Sequence, residues 1–319
     1  MDTVTEPGRE KYKLLLAKAQ RLSPVVTAVV HPCDEVSLAG AIEAHRLRLI
    51  DPILVAPPAR LRSLAASTGL DIAGLPVVAS VHSHDSAAKA VALVREGKAQ
   101  ALMKGSLHTE ELMAAVVAHD TGIRTERRIS HCFILDVPGH AAPLIVTDAA
   151  VNIAPTLEEK VDIVQNAVDL AHAIGLDQVL VAILSAMETV NPKVLSTIEA
   201  AALCKMADRG QITGAILDGP LALDNAINLQ AAAIKHIVSP VAGRANVLVV
   251  PNLEAGNMLA KSLTFLADAE CAGIVLGARV PIILTSRADS VITRLASCAV
   301  ASRLVAHRQT AIAGSVKPV

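Results

Sequence analysis

Apolar residues along this chain fall into short runs of Val, Ile and Leu, separated by longer amphipathic, Ala-rich segments almost from end to end. The runs VVTAVV (25–30), PILVA (52–56), PVVA (76–79), ALM (101–103) and ISHCFIL (129–135) read as strands. So do LIVT (144–147), VLVAIL (179–184), GAIL (214–217), NVLVV (246–250) and VPIILT (280–285). Most are continuously apolar rather than alternating, the pattern of strands buried on both faces of a parallel sheet. Between them lie helical patterns. In 155–175, Leu157, Val161, Val164, Val168 and Ala171 recur at helical spacing. Thr156 with Glu159 gives that helix a capping box, and Gly175 gives it a C-terminal stop. The expectation is an α/β fold with mainly parallel sheets covered by helices.

The rhythm breaks once. At 134–146 two strand runs are separated by a Pro/Gly/Ala loop instead of a helix, which suggests a crossing between domains and a local antiparallel pair. A length of 319 residues also exceeds what one core usually organises, so two domains are expected.

Composition narrows the function. Hydrophobic residues make up 52% of the chain, which raises the question of a membrane. The longest apolar stretches, 179–187 and 272–285, are short or broken by Arg279 and Pro281, whereas a span needs about 20 consecutive apolar residues. The N-terminus is charged and lacks a signal-peptide core. Five scattered cysteines without a CxxC pair fit reduced thiols. A soluble, cytoplasmic protein is expected. With a formal net charge of −1 and only Tyr12, Phe133 and Phe265 as aromatics, the chain has neither the basic surface nor the stacking platforms of a nucleic-acid binder.

Ligands of open α/β folds bind beyond the carboxyl ends of strands, so the residues that follow each run carry the chemistry. After ALM come Lys104, Gly105, Ser106, His108 and Thr109, leading into a helix whose first turn has Glu110 and Glu111. A lysine beside a glycine and hydroxyls at a strand-to-helix turn can hold an anion. The alternative is plain N-capping by Thr109 with a solvated lysine. Asp148 and Asn152 follow LIVT, and Asn252, Glu254, Gly256 and Asn257 follow NVLVV. Asp218 and Asp224 follow GAIL; they read as a turn and a helix start rather than a metal pair. His82 and His84 read as a solvent-facing loop. No metal site is expected, and no P-loop, dinucleotide, GxSxG or HExxH motif is present in the sequence. After VPIILT come Ser286, Arg287, Asp289 and Ser290, and arginine's planar fork suits phosphate oxygens. The residues alone point to a small-molecule enzyme with a phosphorylated substrate.

The segments KGSLHTEELMAAV, RRISHCFIL, TDAAVNIAPTLEEKVDIVQNAV, LDGPLALDNAI and ANVLVVPNLEAGNMLAKSLTFLADAECAGIVLGARVPIILTSRADS together resemble the phosphate acetyl/butyryl transferases, in family order over roughly 100–290. The resemblance implies reversible transfer of a short acyl group, acetyl or alternatively butyryl, between coenzyme A and inorganic phosphate. It implies acyl-CoA, CoA and phosphate as substrates, no permanently bound cofactor, and usually a homodimer. It also implies two α/β domains flanking a cleft, related to the isocitrate and isopropylmalate dehydrogenases. The first domain would be discontinuous (1–137 with 279–319) and the second would be 138–278.

By the same resemblance Ser286 and Arg287 match the phosphate-binding pair, and Ser106, His108 and Thr109 a substrate-facing turn joined by Lys104. Arg128 and Ser130 match another substrate-binding segment, and Asn257 and Thr293 fall where coenzyme A is held. The acetyl-type enzymes carry their aspartate six residues after the arginine, where this chain has Thr293. Its acid is Asp289, two residues after, as in the butyryl-type branch. A helix starting near 289 would pair Asp289 with Thr293 at i, i+4. Asp289 would then be the base that takes the thiol proton, or it would orient the thiol. Alternatively it caps the last helix and holds Arg287. An isocitrate-class dehydrogenase and a non-catalytic CoA- or phosphate-binding protein are the more distant alternatives.

Overall fold

The computed structural model describes residues 10–286 and 289–315. The chain divides into two compact units. The first takes Tyr12–Arg127 together with the chain from Ala272 onward, and the second takes Arg128–Cys271 together with Glu10 and Lys11.

The first unit is a run of strand–helix repeats: α1 (Glu10–Ala19), β1 (Val25–Val30), α2 (Glu35–Arg46), β2 (Ile50–Ala56), α3 (Pro58–Thr68), β3 (Val77–Ala79), α4 (Ser83–Arg95), β4 (Ala101–Lys104) and α5 (Thr109–Val117). The second holds β5 (Ser130–Asp136), β6 (Leu144–Thr147), α6 (Leu157–Ile174), β7 (Leu180–Leu184), α7 (Leu195–Asp208), β8 (Ile216–Leu221), α8 (Leu223–Ile227), α9 (Leu229–Ile234), β9 (Val247–Val249) and α10 (Leu253–Leu266). The chain then returns to the first unit through β10 (Glu270–Leu276), β11 (Ile282–Ile283) and the long α11 (Val291–Ser315).

In the first unit the strands lie in the order β3-β2-β1-β4-β11-β10, parallel except for the antiparallel β10–β11 pair. In the second the order is β5-β6-β9-β7-β8, again parallel except for β5–β6. That antiparallel pair is the one the Pro/Gly/Ala loop suggested. Every residue of the central strands β4, β6, β7 and β9 is buried, whereas β3 and β8, at the ends of these orders, keep exposed positions. Burial on both faces is why the central runs are apolar up to the Lys104 and Thr147 that end β4 and β6, and why helices must cover them.

Two elements differ from the sequence reading. Strand β10 was not anticipated, because its apolar run continues into VPIILT. The turn expected at Asp218-Gly219-Pro220 lies inside β8. A Cβ on Gly219 would meet Ile183 Cβ and its carbonyl oxygen at 2.8 Å, so glycine is what allows β8 to pass that close to β7. Among the described residues no helix is long and apolar enough to cross a membrane.

Helix α6 starts and stops as its sequence signals. Thr156 Oγ1 accepts the Glu159 N–H, Glu159 returns a bond to the Thr156 N–H, and Gly175 closes the helix in the left-handed conformation. Lys160 turns the opposite way and meets Glu199 of α7 at 2.5 Å, with side chains 5% and 14% exposed. Removing one partner of such a pair leaves the other charge buried. Glu199→Ala should therefore lower unfolding stability by about 3 kcal/mol, read as a fall in the urea midpoint. A midpoint within experimental error of wild type would show that Lys160 finds water instead.

Candidate active site

In the first unit the site is built on neighbouring strand ends. Gly105 follows β4, and a Cβ there would lie 2.5 Å from the Val30 carbonyl oxygen and 2.6 Å from that of His31. Only glycine lets this turn press against the end of β1. The N–H groups of Gly105 and Ser106 donate to those same two carbonyls at 2.9 and 3.0 Å. Ser106 Oγ donates to the His31 carbonyl at 2.9 Å and accepts the Cys33 N–H at 3.3 Å. His31 takes a φ of 55°, and its Nδ1 meets Ser86 Oγ at 2.9 Å, which in turn meets Ser80 Oγ at 2.7 Å. Burial, with Arg60 nearby, lowers the His31 pKa and favours the neutral ring. Sequence reading missed this buried chain, because its three residues are ordinary strand-end and helix residues until the sheet packs them together.

The helix after this turn is capped by His108, not Thr109, which is the first helical residue. Glu111 accepts the His108 N–H and the Ser83 hydroxyl, both at 2.7 Å, and lies 3.2 Å from His84 Nδ1. The Ser83 bond is the main reason its carboxyl sits below the usual range. His82 and His84 are exposed, but they form the N-cap and first turn of α4 rather than a loop, with His82 Nδ1 accepting the Asp85 N–H.

Strand β11 runs parallel to β4, with Leu102 opposite Ile282 and Met103 opposite Ile283. The polar residues after each strand therefore emerge side by side. Lys104, 4% exposed, places its Nζ 3.4 Å from the carbonyls of Gly105 and Thr285. The Ser286 N–H donates to Asp289 Oδ2 at 2.5 Å, and the Asp289 N–H returns to the Ser286 carbonyl at 3.2 Å. Helix α11 begins at Val291, with Ser290 Oγ accepting the Thr293 N–H at 3.1 Å. Asp289 is thus neither the cap of the last helix nor an i, i+4 helical partner of Thr293. It folds the turn that precedes the helix. Thr293 is 8% exposed, and its hydroxyl lies 3.2 Å from that of Ser290. Arg287 lies outside the described residues.

Arg294 was not anticipated at all. It is 2% exposed and is the largest fully buried side chain among the described residues. Its Nη1 donates to Thr285 Oγ1 at 2.7 Å and its Nη2 to the Ser286 carbonyl at 2.9 Å. The one available signal was a lone charge in the first turn of α11.

The second unit holds Arg128, Ser130 and Asn257. One face of α6 grips the start of β5. Asp162 accepts the Arg128 N–H at 2.8 Å, Glu159 pairs with its guanidinium at 2.9 Å, and Asn166 donates to its carbonyl and to Ser130 Oγ. Positions 159, 162 and 166 share a helix face. Arg128 Nε donates to Asn152 Oδ1 at 2.8 Å. Asn152 is fixed in turn by buried Asp148, which accepts the N–H groups of Ala150, Val151 and Asn152 and the Asn152 amide. Ser130 is fully buried and faces Asn166. Asn257 donates to the Ala149 carbonyl at 3.3 Å. Gly256 lets α10 approach there, since a Cβ would meet the Asp148 carbonyl oxygen at 2.8 Å.

Residues 73–302 match the family model described as phosphate acetyl/butaryl transferase. The chain belongs to that family. It is 64% identical over 306 residues to a phosphate acetyltransferase of Rhizobium meliloti, covering 96% of this chain and 97% of that protein. It is 39% identical to a phosphate butyryltransferase of Clostridium acetobutylicum, covering 92% and 97%. Among solved structures, a branched-chain phosphotransacylase from Enterococcus faecalis V583 superposes with a TM-score of 0.77 at 31% identity, covering 88% of this chain and 99% of that one.

Beneath the Asp148 loop, His131 is 1% exposed, and its Nδ1 has no hydrogen-bond partner among the described residues. Burial lowers its pKa from 6.5 to about 4, against a smaller opposing pull from Asp148. The folded state therefore holds this ring neutral while the unfolded chain would protonate it. Its contribution to stability is complete above pH 6.5 and is lost as the pH falls toward 4. The loss should be about 3 kcal/mol, and His131→Gln should flatten that part of the stability–pH curve. Parallel curves for the two proteins would assign the acid sensitivity to other groups.

Proposed function

We propose that this protein is a phosphate acetyltransferase that moves an acetyl group reversibly between coenzyme A and inorganic phosphate. The observation that carries this reading is the parallel pairing of β4 with β11. It places the Lys104–Ser106 turn beside the Thr285–Ser286 strand end, although about 180 residues separate them. The buried Lys104 ammonium and the hydroxyl-bearing residues of the two turns then stand side by side at the strand ends, where a phosphoryl group would be held. The high identity to the Rhizobium acetyltransferase favours acetyl over butyryl.

In the thioester-forming direction the CoA thiol loses its proton to Asp289, and the thiolate attacks the carbonyl carbon of the acyl phosphate. The tetrahedral intermediate collapses as the carbon–oxygen bond breaks and phosphate leaves, held by Lys104, Ser286 and Arg287. In reverse, a phosphate oxygen attacks the thioester, the carbon–sulfur bond breaks, and the departing thiolate recovers the proton from Asp289. Ser106, His108 and Thr109 line the substrate side of the β4 turn. By the family resemblance, Arg128 is a substrate-binding residue and Asn257 a coenzyme A-binding one. Ser130 and Thr293 act from buried positions, Ser130 by holding Asn166 and Thr293 through the start of α11. No resident cofactor takes part in this scheme.

The fold reading extends to kinship with the isocitrate and isopropylmalate dehydrogenases. We also infer a cytoplasmic homodimer. Large apolar side chains stand exposed on the second unit, including Leu195, Ile234, Met258, Phe265 and Leu266 at 63–84%, and such surfaces mark protein–protein contacts. Light scattering should give twice the 33.1 kDa chain mass; a monomer at micromolar concentration would contradict the inference.

Release of free CoA from acetyl-, propionyl- and butyryl-CoA, with and without phosphate, tests the activity. We expect phosphate-dependent release that is fastest with acetyl-CoA, and release indifferent to phosphate would end this reading. Asp289→Asn keeps an oxygen for the Ser286 N–H and removes the basicity. It should lower kcat roughly 100-fold or more. An unchanged turnover and pH–rate profile would leave Asp289 as a turn-former only.

A further inference from the structure

Burying an arginine is costly unless its charge is met. Taking the ion out of water carries a penalty that relaxation does not remove, and an apolar residue of similar size is often no worse for stability. Arg294 is nonetheless 2% exposed, and its hydrogen bonds go to neutral groups: the Thr285 hydroxyl and the Ser286 carbonyl. No carboxylate among the described residues lies within ion-pair distance of it, and its Nε has no hydrogen-bond partner among them. Asp34, which caps α2, and Asp289 act on it only from a distance, against a larger effect of burial. The guanidinium stays charged throughout. The first unit thus carries a buried positive charge, unmatched by contact, directly behind the strand end that faces the anion.

The same group governs geometry. The Ser286 N–H is tied to Asp289 Oδ2 and its carbonyl to Arg294 Nη2, so the backbone is fastened on both sides of this residue. The arginine stem is itself held by α2. A Cβ on Gly40 would sit 2.7 Å from Arg294 Cδ and 3.5 Å from its Cβ, so glycine leaves the channel through which the stem passes.

We propose that Arg294 is the positioning residue of the phosphate site: it fixes the Thr285–Ser286 strand end in its phosphate-facing shape and lends that end a net positive charge. This rests on the phosphate-binding role of Ser286 proposed above. Arg294 touches the turn, not the substrate. Asp289 balances the charge only in part, because it stands beyond ion-pair distance of the guanidinium. Gly40 is part of the device, since any side chain there displaces the stem.

Three variants test this: Arg294→Gln, Arg294→Lys and Gly40→Ala. Arg294→Gln should raise the KM for phosphate roughly 10- to 100-fold, the worth of one charge-assisted bond, while the KM for acetyl-CoA stays within about twofold. Arg294→Lys, which keeps the charge without the two-point fork, should recover part of that loss. Gly40→Ala should raise the phosphate KM in the wild-type background and add little in the Arg294→Gln background, because both act on one contact. Protection by inorganic phosphate against thermal unfolding gives the same ranking without turnover. If Arg294→Gln does not fold, Arg294→Lys and Gly40→Ala carry the comparison. An unchanged phosphate KM, or equal rises in both KM values with a lower melting temperature, would overturn the proposal and leave Arg294 a packing residue. A wild-type protein that phosphate protects but that releases no CoA would overturn the acyltransferase reading instead, with the Arg294 comparison still decided by protection.

Discussion

The parallel pairing of β4 with β11 is the constraint on which the candidate site depends. Strand β11 has only two residues, so it contributes little to the sheet by itself. Its effect lies in register. With Met103 opposite Ile283, everything that follows each strand must leave from the same end. Gly105 then bends one connection against β1, and the Asp289 carboxylate folds the other. Sheet geometry turns two remote polar turns into neighbours, and the chemistry follows from that adjacency.

Around this frame the chain treats its few buried charges in two ways. Lys160 meets Glu199, and Asp148 collects three backbone N–H groups and an amide; both are satisfied locally and both hold α6 or the loop that orients Arg128. Lys104 and Arg294 instead address carbonyl and hydroxyl oxygens at the strand ends. The neutral oxygens that Arg294 meets orient it without cancelling its charge, so a positive field survives where the anion is proposed to bind. This division separates charges that build the scaffold from charges suited to a ligand.

Much of this was legible in the residues. The continuous apolar runs gave the strands because central parallel strands are buried on both faces. Thr156, Glu159 and Gly175 gave the limits of α6 because caps satisfy backbone groups locally. The anion-suited turns at 104–109 and 286–290 stood out as polar clusters at the ends of apolar runs. What misled was also local. His108 rather than Thr109 caps α5, because the choice depends on where Glu111 can return its bond. The residue pattern puts Asp289 at the helix start, but Ser290 takes that place and α11 begins at Val291.

The sequence by itself determined the α/β class, most of the strands and the two polar turns, since each is set by residues close together in the chain. Only the tertiary structure decided strand order, and with it which turns meet. It alone showed that Asp148 and Asn152 serve Arg128, that His31, Ser86 and Ser80 form a buried chain, and that Gly40 makes room for Arg294. Those relations join residues tens to hundreds of positions apart, and no local pattern of polarity encodes a contact that arises only when separate strands and helices pack.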